Sequence, residues 1–103
     1  MRPSRPTAFV ASNDLVAIDL VETLEQLGLR VPDDVSVVGF DDIALAGLAR
    51  ISLTTVAQPR QKLAELGSVI MLERIEGGKP GPLRQSRLDT TLVVRTSTAP
   101  APV

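Results

Sequence analysis

Two neighbouring carboxylates, Asp41 and Asp42, close the stretch Val31–Asp42 (VPDDVSVVGFDD), directly after an apolar run. In an open parallel sheet, ligands bind just beyond the carboxyl ends of strands. A carboxylate there has two acceptor oxygens and suits a vicinal diol, bound in bidentate fashion. An acid at the same place also serves as a loop or helix cap. Ser12-Asn13-Asp14 follows another short apolar run and poses the same choice. Asn offers both a donor and an acceptor to a polar ligand, and it is also among the best helix N-caps.

The rest of the composition narrows the chemistry. The chain has 103 residues, no histidine and no cysteine. This removes the commonest general base, thiolate nucleophiles and the usual zinc ligands. The remaining catalytic possibility is Mg²⁺ held at a strand end for phosphoryl transfer, as in receiver or phosphatase folds. That chemistry needs further acids and a lysine at neighbouring strand ends. Asp14 is the only candidate acid, and Lys62 and Lys79 are poorly placed. The expectation is therefore a non-enzyme without metal or cofactor.

Net charge is −1, so no basic excess marks a nucleic-acid surface, and Arg2 and Arg5 read as solvated. The two phenylalanines are the only aromatic residues, so the core must be aliphatic. No apolar run approaches the roughly 18 residues of a membrane span. The opening MRPSRPTAF lacks the apolar core of a secretory signal, which points to a cytoplasmic protein.

Local patterns supply the elements that must position these groups. Thr7–Ala11 reads as a buried strand. Leu15 to Leu27 is an amphipathic helix, with Ile18, Val21 and Leu24 at helical spacing, Leu20 and Leu27 beside them, and Gly28 as its stop. Leu29–Asp34 is a turn. Val35–Phe40 is a strand apolar on both faces, which completes a βαβ unit. Ile43–Ala49 suits a short helix and Leu53–Val56 a brief strand. A second helix starts at Gln58-Pro59, carries Leu63, Leu66 and Ile70 on one stripe, and ends near Ile75 or Glu76. Leu83–Leu88 and Leu92–Arg95 read as strands, and the Pro-containing tail Thr96–Val103 as frayed. Two substantial helices are too few to cover both faces of a parallel sheet, so the chain reads as part of a larger fold.

Four blocks give the pattern a relative: PTAFVASNDLVA, LGLRVPDDVSVVGFDDIALA, LTTVAQP and LVVRTSTAP. In this order and spacing they resemble the C-terminal end of lactose-repressor (LacI/GalR) family transcription regulators, from about Arg5 to Pro100. The resemblance implies a partial α/β fold of the type I periplasmic-binding-protein kind, with a mostly parallel sheet flanked by helices. It assigns residues 1–57 to the βαβ portion of the C-terminal lobe. Residues 58–90 become a helix and strand of the crossover and N-terminal lobe, and 91–103 a C-terminal strand and tail.

Members of that family carry an N-terminal helix-turn-helix and two lobes that close over a small effector, often a sugar or nucleobase. By resemblance, the helix-turn-helix and most of the N-terminal lobe lie outside this sequence, so DNA would be contacted only through them. Asn13, Asp41 and Gln58 align with effector-pocket positions. Gln58 reads equally well as a helix-start residue beside Pro59, and Asp42 is the better candidate for a cap. Ile18, Val21, Glu22, Ile43, Leu45 and Leu48 fall where the family forms its homodimer interface, although core packing explains the helical ones as well. A fragment of a sugar-transport binding protein is the alternative, but those proteins are exported and carry a signal peptide.

Overall fold

The structure, a computed structural model, describes residues 4–77, 81 and 85–103. Among these the order is β1 (Ala8–Val10), α1 (Asp14–Gln26), β2 (Ser36–Val38), a 3₁₀ turn (Ala44–Gly47), β3 (Thr55–Ala57), α2 (Arg60–Gly77) and β4 (Thr91–Val93). The chain divides into two compact units. One comprises the residues up to Ala57 together with Thr91–Val103, and the other comprises Gln58–Thr90.

Helix α1 begins because Asn13 is extended and its side-chain oxygen accepts the Val16 N–H at 2.9 Å. Such a cap satisfies an otherwise orphaned donor and contributes about 1 kcal/mol. The helix ends in a Schellman motif. Gly28 takes φ 84° while the Leu29 N–H reaches the Leu24 carbonyl at 2.9 Å and the Gly28 N–H reaches that of Glu25 at 3.0 Å. Asp14, Ala17 and Leu24 form its buried stripe, and Ile18, Leu20 and Val21 pack half-buried beside the core. Leu27 departs from the expected apolar stripe: it is 72% exposed, because the chain turns away at the C-cap before reaching the core.

The turn after α1 is closed by an ion pair. Asp34 Oδ2 accepts from the Arg30 backbone N–H at 2.8 Å and from its Nε at 3.0 Å, and Oδ1 accepts from Nη2 at 3.2 Å. These bonds to the Arg30 side chain and backbone lower the Asp34 pKa from 3.8 to about 2. The folded chain therefore holds this proton less tightly than the unfolded one. The resulting stability is complete above about pH 4 and is lost as pH falls through about 2. In an NMR titration of the side-chain carboxyl, Arg30→Met is expected to move the Asp34 midpoint upward. An unmoved midpoint would contradict the assignment of the shift to Arg30.

β1 and β2 pair in parallel, with Ala8 opposite Ser36 and Val10 opposite Val38. The helical crossover between them makes this the expected βαβ unit. β3 and β4 pair antiparallel, with Thr55 opposite Val93 and Ala57 opposite Thr91. Parallel bridges at Val38–Thr54 and Asp41–Ala57 join the two pairs through β2 and β3. The core gathers around β2: Val35, Val37, Leu53, Ala17, Ala46, Ala11 and Leu24 are buried together. β1 was expected to be buried but is an edge strand, with Val10 82% exposed. Among the described residues it pairs only with β2, and Ala8 and Val10 are exposed.

The tail is not frayed over Thr96–Ala99. Ser97 is buried on the N-terminal side of the Val38–Thr54 bridge, where it connects β2 to the strand entering β3. The Val37 N–H donates to the Ser97 carbonyl at 2.9 Å, the Ser97 hydroxyl donates to the Val37 carbonyl at 2.6 Å, and the Thr54 N–H donates to that hydroxyl at 2.8 Å. Ser36 and Ala99 exchange two further bonds, and the Thr54 and Thr98 hydroxyls lie 2.8 Å apart. Pro100 and Pro102 mislead as signals because the ordering groups precede them.

In the other unit, α2 follows Pro59, whose carbonyl accepts the Leu63 N–H at 2.9 Å. No residue of α2 is buried. Leu63, Leu66 and Ile70 form the expected stripe and, with Gly67, Gln85, Ser86 and Arg87, line a shallow groove. The strand expected over Leu83–Leu88 is not observed in its described part: Gln85–Leu88 are irregular, and Leu83 and Arg84 lie outside the described residues. The half-polar QSRL sequence has no strand partner among the described residues of this unit.

Candidate functional site

The polar groups singled out in the first unit meet at the carboxyl edge of the parallel strands. Beyond β1, the Ala11 N–H donates to the Val38 carbonyl at 2.8 Å and the Asp14 N–H donates to that of Phe40 at 3.0 Å. On the other side of β2, the Gly39 N–H reaches Thr54 O and the Asp41 N–H reaches Val56 O, each at 2.9 Å. The end of β2 is therefore held between the start of α1 and β3. Asn13 and Asp41 are both half-buried at this edge. Gln58 belongs to the other unit, where its carbonyl accepts the Arg60 N–H at 2.8 Å, in a tight turn just before α2.

Asp41 and Asp42 have unusual backbones, with φ 121° and 57°. A non-glycine residue in this region costs of order 1–3 kcal/mol and persists only where its surroundings enforce it. Asp42 does not cap the following turn. That turn starts at Ile43 without a side-chain cap, and the Asp42 carboxylate instead pairs with Arg95 Nη2 at 2.8 Å. Arg95 also donates from Nη1 to the Leu53 carbonyl at 2.9 Å. The guanidinium fork thus ties the acidic turn to β3 from the side of the C-terminal strand.

Asp14 has a larger structural role than its sequence position suggested. Its side chain is fully buried. Oδ1 accepts from the Thr55 hydroxyl at 2.6 Å, and Oδ2 accepts from the Ile43 N–H at 2.8 Å. A buried carboxylate is tolerated only when its oxygens are bonded, and both are. One signal was present in the sequence: Asp14 shares the helical stripe of Ala17, Val21 and Leu24, spaced three, seven and ten residues on. Neither the Asp42–Arg95 pair nor the tail had a comparable local signal.

Of the residues expected at a homodimer interface, Ile18, Val21 and Ile43 pack against the core, and Glu22 is exposed. Leu45 and Leu48 are 45% and 52% exposed on the 3₁₀ turn and its cap. Among the described residues no group of three or more acidic, histidine or cysteine side chains is arranged to hold a metal ion. No described helix is long and apolar enough to cross a membrane.

A βαβ unit with polar groups gathered at the strand carboxyl ends has the arrangement of an open α/β sheet, in which ligands bind beyond those ends. The chain belongs to the periplasmic binding protein-like domain family, whose model matches residues 1–98. Its relatives are LacI-type repressors, as the sequence blocks implied. It is 42% identical to the HTH-type transcriptional repressor PurR of Photobacterium profundum over 93 residues, 90% of this chain and 28% of that protein. A LacI transcriptional regulator from a Rhodococcus species superposes with a TM-score of 0.86 at 37% identity, over 99% of this chain and 37% of the other. A LacI family regulator from Enterococcus faecium, solved with bound ribose, gives 0.81 at 34% identity, over 94% and 36%. The chain thus spans little more than a quarter of the length of the curated relative.

Proposed function

We propose that the chain is the C-terminal effector-binding and dimerisation part of a LacI-type transcriptional regulator. In this reading the unit holding β1–β4 belongs to the C-terminal lobe, and Gln58–Thr90 belongs to the crossover and N-terminal lobe. Asn13 and Asp41 contribute one side of a pocket for a small polyhydroxylated or nucleobase-like effector, and Gln58 lies at the crossover. DNA is engaged through a separate helix-turn-helix, in the cytoplasm. A second copy packs against a surface that includes Ile18, Val21, Glu22, Ile43, Leu45 and Leu48.

The observation that carries the effector reading is the pairing of Asn13 and Asp41 at one carboxyl edge, with Asp41 in a costly backbone conformation. Strain of this kind gathers at binding sites. The LacI family regulator from Enterococcus faecium, solved with bound ribose, supports a polyhydroxylated effector. The test is calorimetric titration with ribose and with adenine, comparing the natural chain with Asp41→Asn. Loss of charge-assisted hydrogen bonds is expected to weaken binding by about tenfold to a hundredfold. Equal affinity of the two chains for a bound effector, or magnesium-dependent phosphorylation of Asp41 by acetyl phosphate, would overturn the reading.

A further inference from the structure

Asp41 lies in a backbone region that aspartate leaves readily when nothing holds it. Two constraints beside it are visible: its own N–H is bonded to Val56 O, and the N–H two residues on, at Ile43, is bonded to Asp14 Oδ2. The second is unusual because the acceptor is a fully buried carboxylate anchored by Thr55 of β3 at its other oxygen. Asp14 immediately follows Asn13, and its own N–H is bonded to the carbonyl preceding Asp41. The room for this carboxylate comes from Gly39, where a Cβ would overlap Asp14 Oδ1 and lie 2.8 Å from Leu53 Cδ2. A buried, doubly bonded carboxylate in a space left by glycine is a rigid reference point.

We propose that Asp14 is a positioning residue, which bolts the start of α1 to the Asp41–Ile43 turn and thereby holds Asp41 in its positive-φ conformation beside Asn13. Asp14 itself touches no ligand. It fixes the distance between the two groups that do, so the pair behaves as one preformed element. That the positioned groups meet an effector rests on the reading given under Proposed function, whereas the control of the Asp41 backbone by Asp14 does not.

The three-bond HN–Hα coupling of Asp41, measured by NMR on the whole 103-residue chain, separates positive φ from extended backbone. Asp14→Ala is expected to move this coupling toward the extended value, and Thr55→Val, which frees one carboxylate oxygen, to move it partway. Asp14→Asn retains an acceptor for Ile43 and is expected to restore it. Ser97→Ala serves as the control: it removes buried hydrogen bonds between β2 and the strand entering β3, on the N-terminal side of the Val38–Thr54 bridge and away from the Asp41–Ile43 turn, so it lowers the melting temperature and leaves the coupling unchanged. Should Asp14→Ala not fold, Thr55→Val against Ser97→Ala carries the comparison. An unmoved coupling in the folded Asp14→Ala or Thr55→Val chain, or an equal change in Ser97→Ala, overturns the proposal.

Titration with ribose and adenine adds the functional arm, in which the Asp14→Ala chain, or Thr55→Val in its place, is expected to bind about tenfold more weakly than Ser97→Ala. Equal binding by those two chains would overturn the claim that positioning serves the ligand. If the natural chain binds neither compound, the effector reading loses its support, while the coupling measurement still decides whether Asp14 positions Asp41.

Discussion

Removing Thr96–Val103 is expected to abolish the cooperative fold of the strand-rich unit. The deletion orphans the Val37 N–H and carbonyl and the Thr54 N–H, all on buried residues. Each buried unpaired group costs about 1–3 kcal/mol, so the three together cost on the order of 5 kcal/mol. That is comparable with the roughly 5–15 kcal/mol that holds a typical domain together. Water entering the gap would recover part of this, but only by opening the core beside Val37 and Leu53. Thermal denaturation followed by circular dichroism tests the expectation. A truncated chain melting within a few degrees of the natural one would show that the tail is dispensable.

Gly39→Ala is expected to destabilise the same unit by about 3 kcal/mol. A methyl there would overlap Asp14 Oδ1 and crowd Leu53 Cδ2 at 2.8 Å and the Asp14 Cα at 3.2 Å. Neither neighbour yields easily: Leu53 is 1% exposed, and Asp14 is held by two hydrogen bonds. Overpacking a filled core costs about 1–3 kcal/mol, and displacing the carboxylate adds the loss of its bonds. The same substitution at Gly67 should have the opposite sign. Nothing lies within 4 Å of a Cβ there, and alanine in a helix interior is favoured over glycine by roughly 0.5–1 kcal/mol. Urea titrations of the two variants decide the matter; similar midpoints for both would refute the argument from space.

The contrast between these positions shows which parts of the fold were legible in the residues. Both helices could be read because they depend on neighbours in sequence: Asn13 on Val16, Gly28 on Glu25, Pro59 on Leu63. The end of β2 was legible as a place, since an apolar strand followed by acids has one natural location in a parallel sheet. The partners of those acids were not legible. Asp42 reads as a cap from the sequence because the turn beside it is local, whereas its partner Arg95 lies far along the chain. Asp14 looked like a helix-start acid because Thr55 and Ile43 are distant in sequence. The tail looked frayed because its prolines are local signals, whereas the order of Ser97 comes from Val37 and Thr54. Gln85–Leu88 carry strand-like residues, yet strand formation needs a partner, and the described residues of the second unit offer none.

The contact between Ser97 and Val37 spans 60 residues, and that between Ala99 and Ser36 spans 63. Between them lies the whole of Gln58–Thr90, a unit of its own. On the ribosome, β2 must therefore wait with unpaired backbone groups until synthesis has passed through α2 and reached Ser97. Closing so long a loop costs entropy before any contact rewards it and slows folding accordingly. The strand-rich unit is thus completed late, and its apolar strands are exposed to misassociation for as long as the intervening segment takes to be made. Any insertion or stall within Gln58–Thr90 would lengthen that interval without touching a single core residue.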